Sequence, residues 1–214
     1  MRVGLARCVL GQHRWAEGLE VALAVEADLD VVRGAVDPER VAEVEGEAWT
    51  LQARARRWLG QTDEAIAVAS RAAEVLRGCG RADEPFLELV PLLVSAGRAP
   101  EAFERGVKLF DDGLAGSKRR PLAVLLWEVG APRGEWPPLR RIFLEHLKER
   151  GSGLLETRRA LLHADLGDGL AAAAALRRDP SGLAGRRGPA FVQQLERLEP
   201  EAIAILRAEV VPAR

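Results

Sequence analysis

Short helical segments recur along this chain, and their recurrence limits what it can fold into more than any other feature. Segments of about 10–15 residues with apolar side chains at helical spacing alternate with short stretches of Gly, Pro or Asp. Pairs of such segments recur at intervals of roughly 30-odd residues, which is typical of solenoid proteins. Each hairpin exposes apolar surface on both sides, so neighbouring hairpins must stack. The sequence therefore predicts an all-α fold, an α-solenoid of about five antiparallel helical hairpins.

The residue usage favours helices over strands. Ala, Leu, Arg and Glu are abundant and form helices well, whereas strand-like runs such as Leu29–Val32 are few. With 48% hydrophobic residues among 214, the chain can bury the core of one elongated domain or of two small ones. Tyr is absent and Arg far outnumbers Lys, a bias that indicates a GC-rich bacterial genome.

Start and stop signals set the predicted helix boundaries. Asp37 is expected to cap a helix that has Pro38 at its first position, and Gly60 and Gly97 mark the turns of two hairpins. Helices are predicted over residues 3–11, 14–29, 38–60, 63–78, 84–97, 99–113, 121–130, 136–151, 154–167 and 168–179. The tail over residues 188–210 is predicted to form two short helices, or one helix broken at Pro200.

The hairpin around Gly60 carries a recognisable pattern of small and large residues. Five residues stand at matching positions of the pattern W-x2-L-G-x2-Y, A-x3-F, P: Trp49, Ala53, Gly60, Ala65 and Ala72. The hairpin therefore resembles the tetratricopeptide repeat. Gln52, Arg56 and Ala69 replace the family's Leu, Tyr and Phe, and the closing Pro is missing.

The next hairpin matches the same pattern by residue type. Its turn residue, Gly97, follows Gly60 by 37 positions, and Ala102 and Gly106 are the small residues of its second helix. Small residues at these positions let two helices approach closely, while Trp49 and Phe86 are expected to fill the space between hairpins. Residues 1–120 are predicted to form tetratricopeptide-like hairpins, with the best match over 41–110. Residues 121–214 are predicted to form degenerate hairpins and C-terminal helices packed on the same solenoid.

The resemblance implies a right-handed superhelix with a concave groove, lined by the first helix of each hairpin, that binds a peptide or a protein segment. The residues expected to be exposed there and to contact a partner are Gln52, Arg56, Glu88, Arg158 and Arg159. A protein–protein interaction scaffold or adaptor is the expected function. Two alternatives stay open: a regulatory or sensor module of a larger bacterial signalling protein, and an enzyme with an unrecognised helical active site. Open ends of the solenoid could also join copies into a homo-oligomer.

Motifs for covalent chemistry are missing from the sequence. His13, His146 and His163 are dispersed without acidic or Cys neighbours at metal-ligand spacing, and no G-x-S-x-G motif is present. The sequence therefore predicts no catalytic, cofactor-binding or metal-binding residues, and the protein is not expected to be an enzyme. Arg7 interrupts the only segment that looks like a signal peptide, and no apolar run is long enough to span a membrane, so a cytoplasmic location is predicted.

Charge is distributed unevenly along the chain although the net charge is only −1. Residues 1–50 contain five Arg against ten Asp and Glu, whereas residues 117–159 contain ten Lys and Arg against five Glu. This pattern is either a set of solvated helix faces or a groove with an acidic and a basic end that orients an extended partner. Nucleic acid is not an expected partner, because no aromatic residues interleave with the basic ones for base stacking.

Two further expectations concern packing. Most of the five Trp residues are expected to fill gaps between hairpins. The first helix begins without a polar capping helix ahead of it, which indicates either a module of a larger solenoid or a face covered by a partner.

Overall fold

A computed structural model describes residues 2–113, 118–147, 153–166 and 168–178, together with positions 193 and 197. All regular structure within these residues is helical, which confirms the all-α prediction for this part of the chain. The α-helices are α1 (Arg2–Gly11), α2 (Trp15–Val32), α3 (Pro38–Trp58), α4 (Thr62–Gly78), α5 (Asp83–Ser95), α6 (Ala99–Asp111), α7 (Arg119–Gly130), α8 (Trp136–Arg140), α9 (Gly153–Asp165) and α10 (Gly169–Arg178). The chain divides into two compact units, Met1–Val129 and Gly130–Arg214.

The first unit contains three successive helical hairpins. The pairs α1–α2, α3–α4 and α5–α6 each form one hairpin, and α2 and α4 also contact the first helix of the following hairpin. In addition, α1 contacts α3 and α3 contacts α5, so the first helices of neighbouring hairpins lie side by side. Each hairpin thus buries its apolar surface against the next one, as the sequence predicts for this part of the chain.

The three hairpins turn in the same way. The second residue after α1, α3 and α5 has a positive φ: 61° at His13, 77° at Gly60 and 75° at Gly97. The following amide donates to the carbonyl five residues earlier in each case, as in Gln61 N to Arg56 O at 2.9 Å and Arg98 N to Leu93 O at 2.7 Å. This is the Schellman arrangement, in which a left-handed residue satisfies carbonyls at the helix end. The predicted glycine turns are confirmed, and His13 is the member without glycine.

Small residues stand where the two helices of a hairpin approach most closely. Ala53, Ala65 and Ala102 are fully buried, as expected from the sequence. A Cβ on Gly18 would overlap the side chain of Leu10, so α1 and α2 touch at that position. In the next hairpin a Cβ on Gly46 would overlap Leu76, a contact that the sequence pattern did not indicate.

Most of the predicted helix boundaries agree with the structure to within a few residues. Asp37 caps α3 as predicted: its side chain accepts a hydrogen bond from the Glu39 amide at 3.2 Å, and Pro38 is the first helical residue. The segment predicted as one helix over 136–151 is instead divided. α8 ends at Arg140, a π-helical segment spans Arg141–His146, and Leu147 leaves helical geometry. Gly167, the last residue of the helix predicted over 154–167, and the tail helices predicted over 188–210 lie outside the described residues, except for positions 193 and 197.

The second unit contains α8, the π-helical segment, α9 and α10. α9 and α10 form a hairpin, and α9 also contacts α8 and the π-helical segment. Arg140 pairs with Asp165, which joins α8 to the end of α9.

Candidate protein-binding groove

The first helices of the three hairpins in the first unit contribute side chains to one cavity. This cavity has a volume of about 310 Å³ and is lined by Arg7, Glu47, Thr50, Leu51, Arg54, Glu84, Leu87 and Lys118. The four lining residues of α3 recur at spacings of three, one and three, which places them on a single face of that helix. We call this cavity and its lining residues the groove. It lies on the face where the tetratricopeptide resemblance expects a binding surface.

Two carboxylates of the groove pair with the same arginine. Arg81, which precedes α5, lies 2.7 Å from Glu47 Oε1 and 3.1 Å from Glu84 Oε2. Burial disfavours the charged form of Arg81, but the bonds to both glutamates outweigh it and raise the pKa of the guanidinium. Glu47 also pairs with Arg7 of α1 at 3.2 Å. A chain of ion pairs therefore links α1, α3 and α5 along one side of the groove.

A second set of ion pairs is formed around Glu88 of α5. Its carboxylate lies 2.7 Å from Arg54 and 3.5 Å from Arg57, both on α3. The Glu88 side chain is buried, whereas the Arg54 side chain is 43% exposed and lines the groove. Arg54 and Arg57 thus share the single carboxylate of Glu88.

Lys118 contributes a cation with no ion pair among the described residues. Its backbone amide donates to the buried Asp83 side chain at 2.7 Å, which fixes this residue beside the start of α5. The Lys118 side chain also lines the groove. The groove therefore carries three cations and two carboxylates on its lining, and Arg81 pairs with both carboxylates from outside the lining.

Four of the five residues expected to be exposed on the groove are buried, so that part of the prediction is wrong for them: Gln52, Glu88, Arg158 and Arg159. Gln52 lies on the side of α3 that packs against α2, and its Nε2 donates to the Ala22 carbonyl at 3.5 Å. Glu88 is buried because α3 supplies two guanidinium partners for it. Arg56 is half-buried at the end of α3, where Nη1 donates to Gln61 Oε1 at 2.9 Å. Arg56 does not line the groove.

The two arginines predicted in the second unit are buried for a different reason. Residues 155–162 of α9 are all buried, so no side of the helix faces solvent over this stretch. Arg159 pairs with Glu156 and donates to the carbonyls of Phe143 and Leu147 at the end of the π-helical segment. The guanidinium of Arg159 thus connects α9 to the end of the π-helical segment. The partner-binding role assigned to Arg158 and Arg159 stays a prediction without support from their exposure.

The tryptophans are less buried than the sequence suggested. Trp49 is buried as expected, with the guanidinium of Arg71 4.3 Å from its ring centre, and its indole N–H donates to Glu26. Trp58 is 58% exposed, so it is not one of the tryptophans that fill a gap between hairpins. Its ring lies parallel to that of the half-buried Trp15, with centroids 5.1 Å apart. This stacked pair joins the turns of the first two hairpins at the protein surface.

Sequence reasoning missed the residues that line the groove. The spacing of Glu47, Thr50, Leu51 and Arg54 indicates that they share one face of α3. Nothing in the sequence shows that this face lines a cavity. The groove with an acidic and a basic end also stays a prediction, because the residues that would form its two ends belong to both units of the chain.

The described ranges contain neither a cluster of metal-ligating side chains nor a membrane-spanning helix. No three His, Cys, Asp or Glu side chains there come close enough together to hold a metal ion. Among the helices that the structure describes, none combines the length and the apolar character needed to cross a bilayer.

Comparison of the chain with models of known protein families gives no match, and comparison with curated proteins gives none either. Function is therefore inferred from the geometry and charge of this chain: an all-α protein whose first unit stacks three hairpins around a charged groove.

Proposed function

We propose that this protein is an interaction scaffold or adaptor that holds a segment of a partner protein in the groove. The observation that carries the proposal is the single cavity that α1, α3 and α5 line together. Three different helices contribute polar and apolar side chains to one cavity, and stacked helical repeats use such faces to bind extended chains.

The proposal includes membership of the tetratricopeptide-like solenoid class. It is supported by three hairpins with the same turn geometry and by buried small residues at Ala53, Ala65 and Ala102. It is also supported by first helices that lie beside first helices, which brings their lining side chains together.

The lining suits a polypeptide segment. Leu51 and Leu87 offer apolar surface between the charged side chains, and Thr50 lies beside Leu51. A cavity of about 310 Å³ lies at the small end of the range of ligand pockets, and it suits a few side chains of an extended segment better than a folded domain.

Photo-cross-linking in cells of the native host tests the proposal. A photoreactive phenylalanine derivative replaces Leu87, which is half-buried in the groove, and as a control replaces Glu104, which is exposed on the second helix α6. We expect a discrete cross-linked protein at Leu87 that is absent at Glu104, with the cross-link mapped to one segment of the partner. Equal adducts at both positions, or none at Leu87, would contradict the proposal.

A further inference from the structure

We propose that the segment held in the groove is acidic, and that Lys118 and Arg7 bind its carboxylates. This inference rests on the proposed function and adds the chemistry of the partner. It is carried by charge complementarity, since the cations of the groove are incompletely neutralised by the protein itself.

The ion pairs show which positive charges of the groove are not compensated by carboxylates of the protein. Glu47 and Glu84 both pair with Arg81, which compensates one of their two negative charges, and Arg7 compensates the other through its pair with Glu47. Arg7 shares Glu47 with Arg81, and its side chain remains 53% exposed. The ammonium of Lys118 has no ion pair among the described residues. The exposed guanidinium of Arg7 and the ammonium of Lys118 are therefore available to a ligand carboxylate.

Arg54 adds to this surplus. It shares the single carboxylate of Glu88 with Arg57, so the pair of guanidinium groups carries one positive charge more than its partner. Asp83 does not remove the surplus at Lys118 by a direct ion pair, since its side chain accepts the Lys118 backbone amide instead. An acidic side chain entering the groove would thus meet donors from α1, α3 and the start of α7.

The same lining disfavours nucleic acid. No aromatic side chain lines the groove for base stacking, and Glu47 and Glu84 face a cavity in which a phosphate backbone would have to lie. The apolar side chains of Leu51 and Leu87 instead match a peptide in which apolar and acidic residues alternate.

Selection of binders from a random peptide library displayed on phage, with the full chain immobilised, tests the inference. We expect the selected peptides to be enriched in Asp and Glu together with apolar residues. Peptides enriched in Lys and Arg, or showing no charge bias, would overturn the acidic preference while leaving the groove as a peptide site. If no peptide is selected, or if single-stranded DNA binds more tightly than any selected peptide, the proposed function fails as well.

A pair of double variants then locates the binding site. Arg7→Gln with Lys118→Gln removes two groove cations, and neither change leaves a buried carboxylate alone because Glu47 keeps Arg81. We expect the affinity for a selected acidic peptide to fall about fivefold, and the salt dependence of binding to weaken. The control, Arg98→Gln with Lys108→Gln, removes one Arg and one Lys from α6 and its cap, and the Arg98 side chain is about as exposed as that of Arg7. Equal losses in both double variants would overturn the assignment of Arg7 and Lys118.

Discussion

Arg54 of α3 and Glu88 of α5 form an ion pair at 2.7 Å that joins the first helices of two successive hairpins. The pair is asymmetric, because the carboxylate is buried while the guanidinium is partly exposed and lines the groove. One interaction therefore fixes both the packing of α3 against α5 and the position of a cation that faces the cavity.

Replacing Glu88 by Ala should lower the free energy of unfolding by about 1–2 kcal/mol, because it removes the carboxylate that Arg54 and Arg57 share. A double-mutant cycle with Arg54→Ala should give a coupling energy of about 1 kcal/mol in urea unfolding. The matched control is Arg40 with Glu43, an exposed pair within α3, whose coupling should stay below about 0.5 kcal/mol. A coupling no larger than this control would show that the buried pair does not stabilise the hairpin contact.

Because α3 and α4 approach closely at Gly46, a larger side chain at this position should lower the stability of the protein. Gly46→Val should destabilise the protein by about 1–3 kcal/mol, because its Cβ overlaps Leu76, which is fully buried and cannot move into solvent. Gly4→Ala in α1 is the control, since nothing lies within 4 Å of the added Cβ. That change should stabilise the protein by roughly 0.5–1 kcal/mol. Thermal unfolding of both variants would check the contrast, and a neutral Gly46→Val would refute the close packing.

The left-handed backbone at His13 predicts that Gly is more stable than Ala at this position, the reverse of their order within a helix. Both substitutions remove the edge-to-face contact of His13 with Trp15, so the comparison isolates the effect of the backbone. At a φ of 61°, His13→Gly should be more stable than His13→Ala by about 1 kcal/mol. Urea unfolding measures the difference. If the Ala variant proved equal or better, the first hairpin would not share the turn of the other two.

Burial lowers the pKa of His163 in α9 below its ordinary value, and the nearby Arg178 and Arg159 lower it further, while Asp168 opposes the shift. The unfolded chain therefore takes up this proton at a higher pH than the folded chain. As pH falls through about 6.5, the stability of the second unit should decrease until the folded histidine is itself protonated. Hydrogen exchange of α9 amides, followed from about pH 7 to about pH 5, measures this change. His163→Gln should flatten the dependence, and an unchanged slope would assign it to other groups.

Local signals made much of the fold predictable. Asp37 with Pro38, and the glycines at 60 and 97, act through backbone geometry that depends only on nearby residues, and the structure has them in their predicted roles. The small residues at Ala53 and Ala65 were recognised in the same way.

Burial of polar residues was not predictable from local patterns. Gln52 and Glu88 look exposed in sequence because they are polar residues on amphipathic helices. Each is buried by a partner from another helix: the Ala22 carbonyl for Gln52, and guanidinium groups of α3 for Glu88. Lys118, in contrast, was indicated by the sequence only as one of ten basic residues over 117–159, since its position at the groove depends on how α5 and α7 are placed around it. Only the tertiary contacts show which of these polar residues are buried and which line the groove.

The central claim is that the first helices of the hairpins hold a partner segment. A structure of the full chain with a selected acidic peptide, or with the cross-linked partner segment, tests it most directly. We predict that the peptide lies across α1, α3 and α5, with its apolar side chains on Leu51 and Leu87 and a carboxylate beside Lys118 or Arg7. A peptide bound to the second helices α2, α4 and α6, or to the turns around Trp58, would contradict the account.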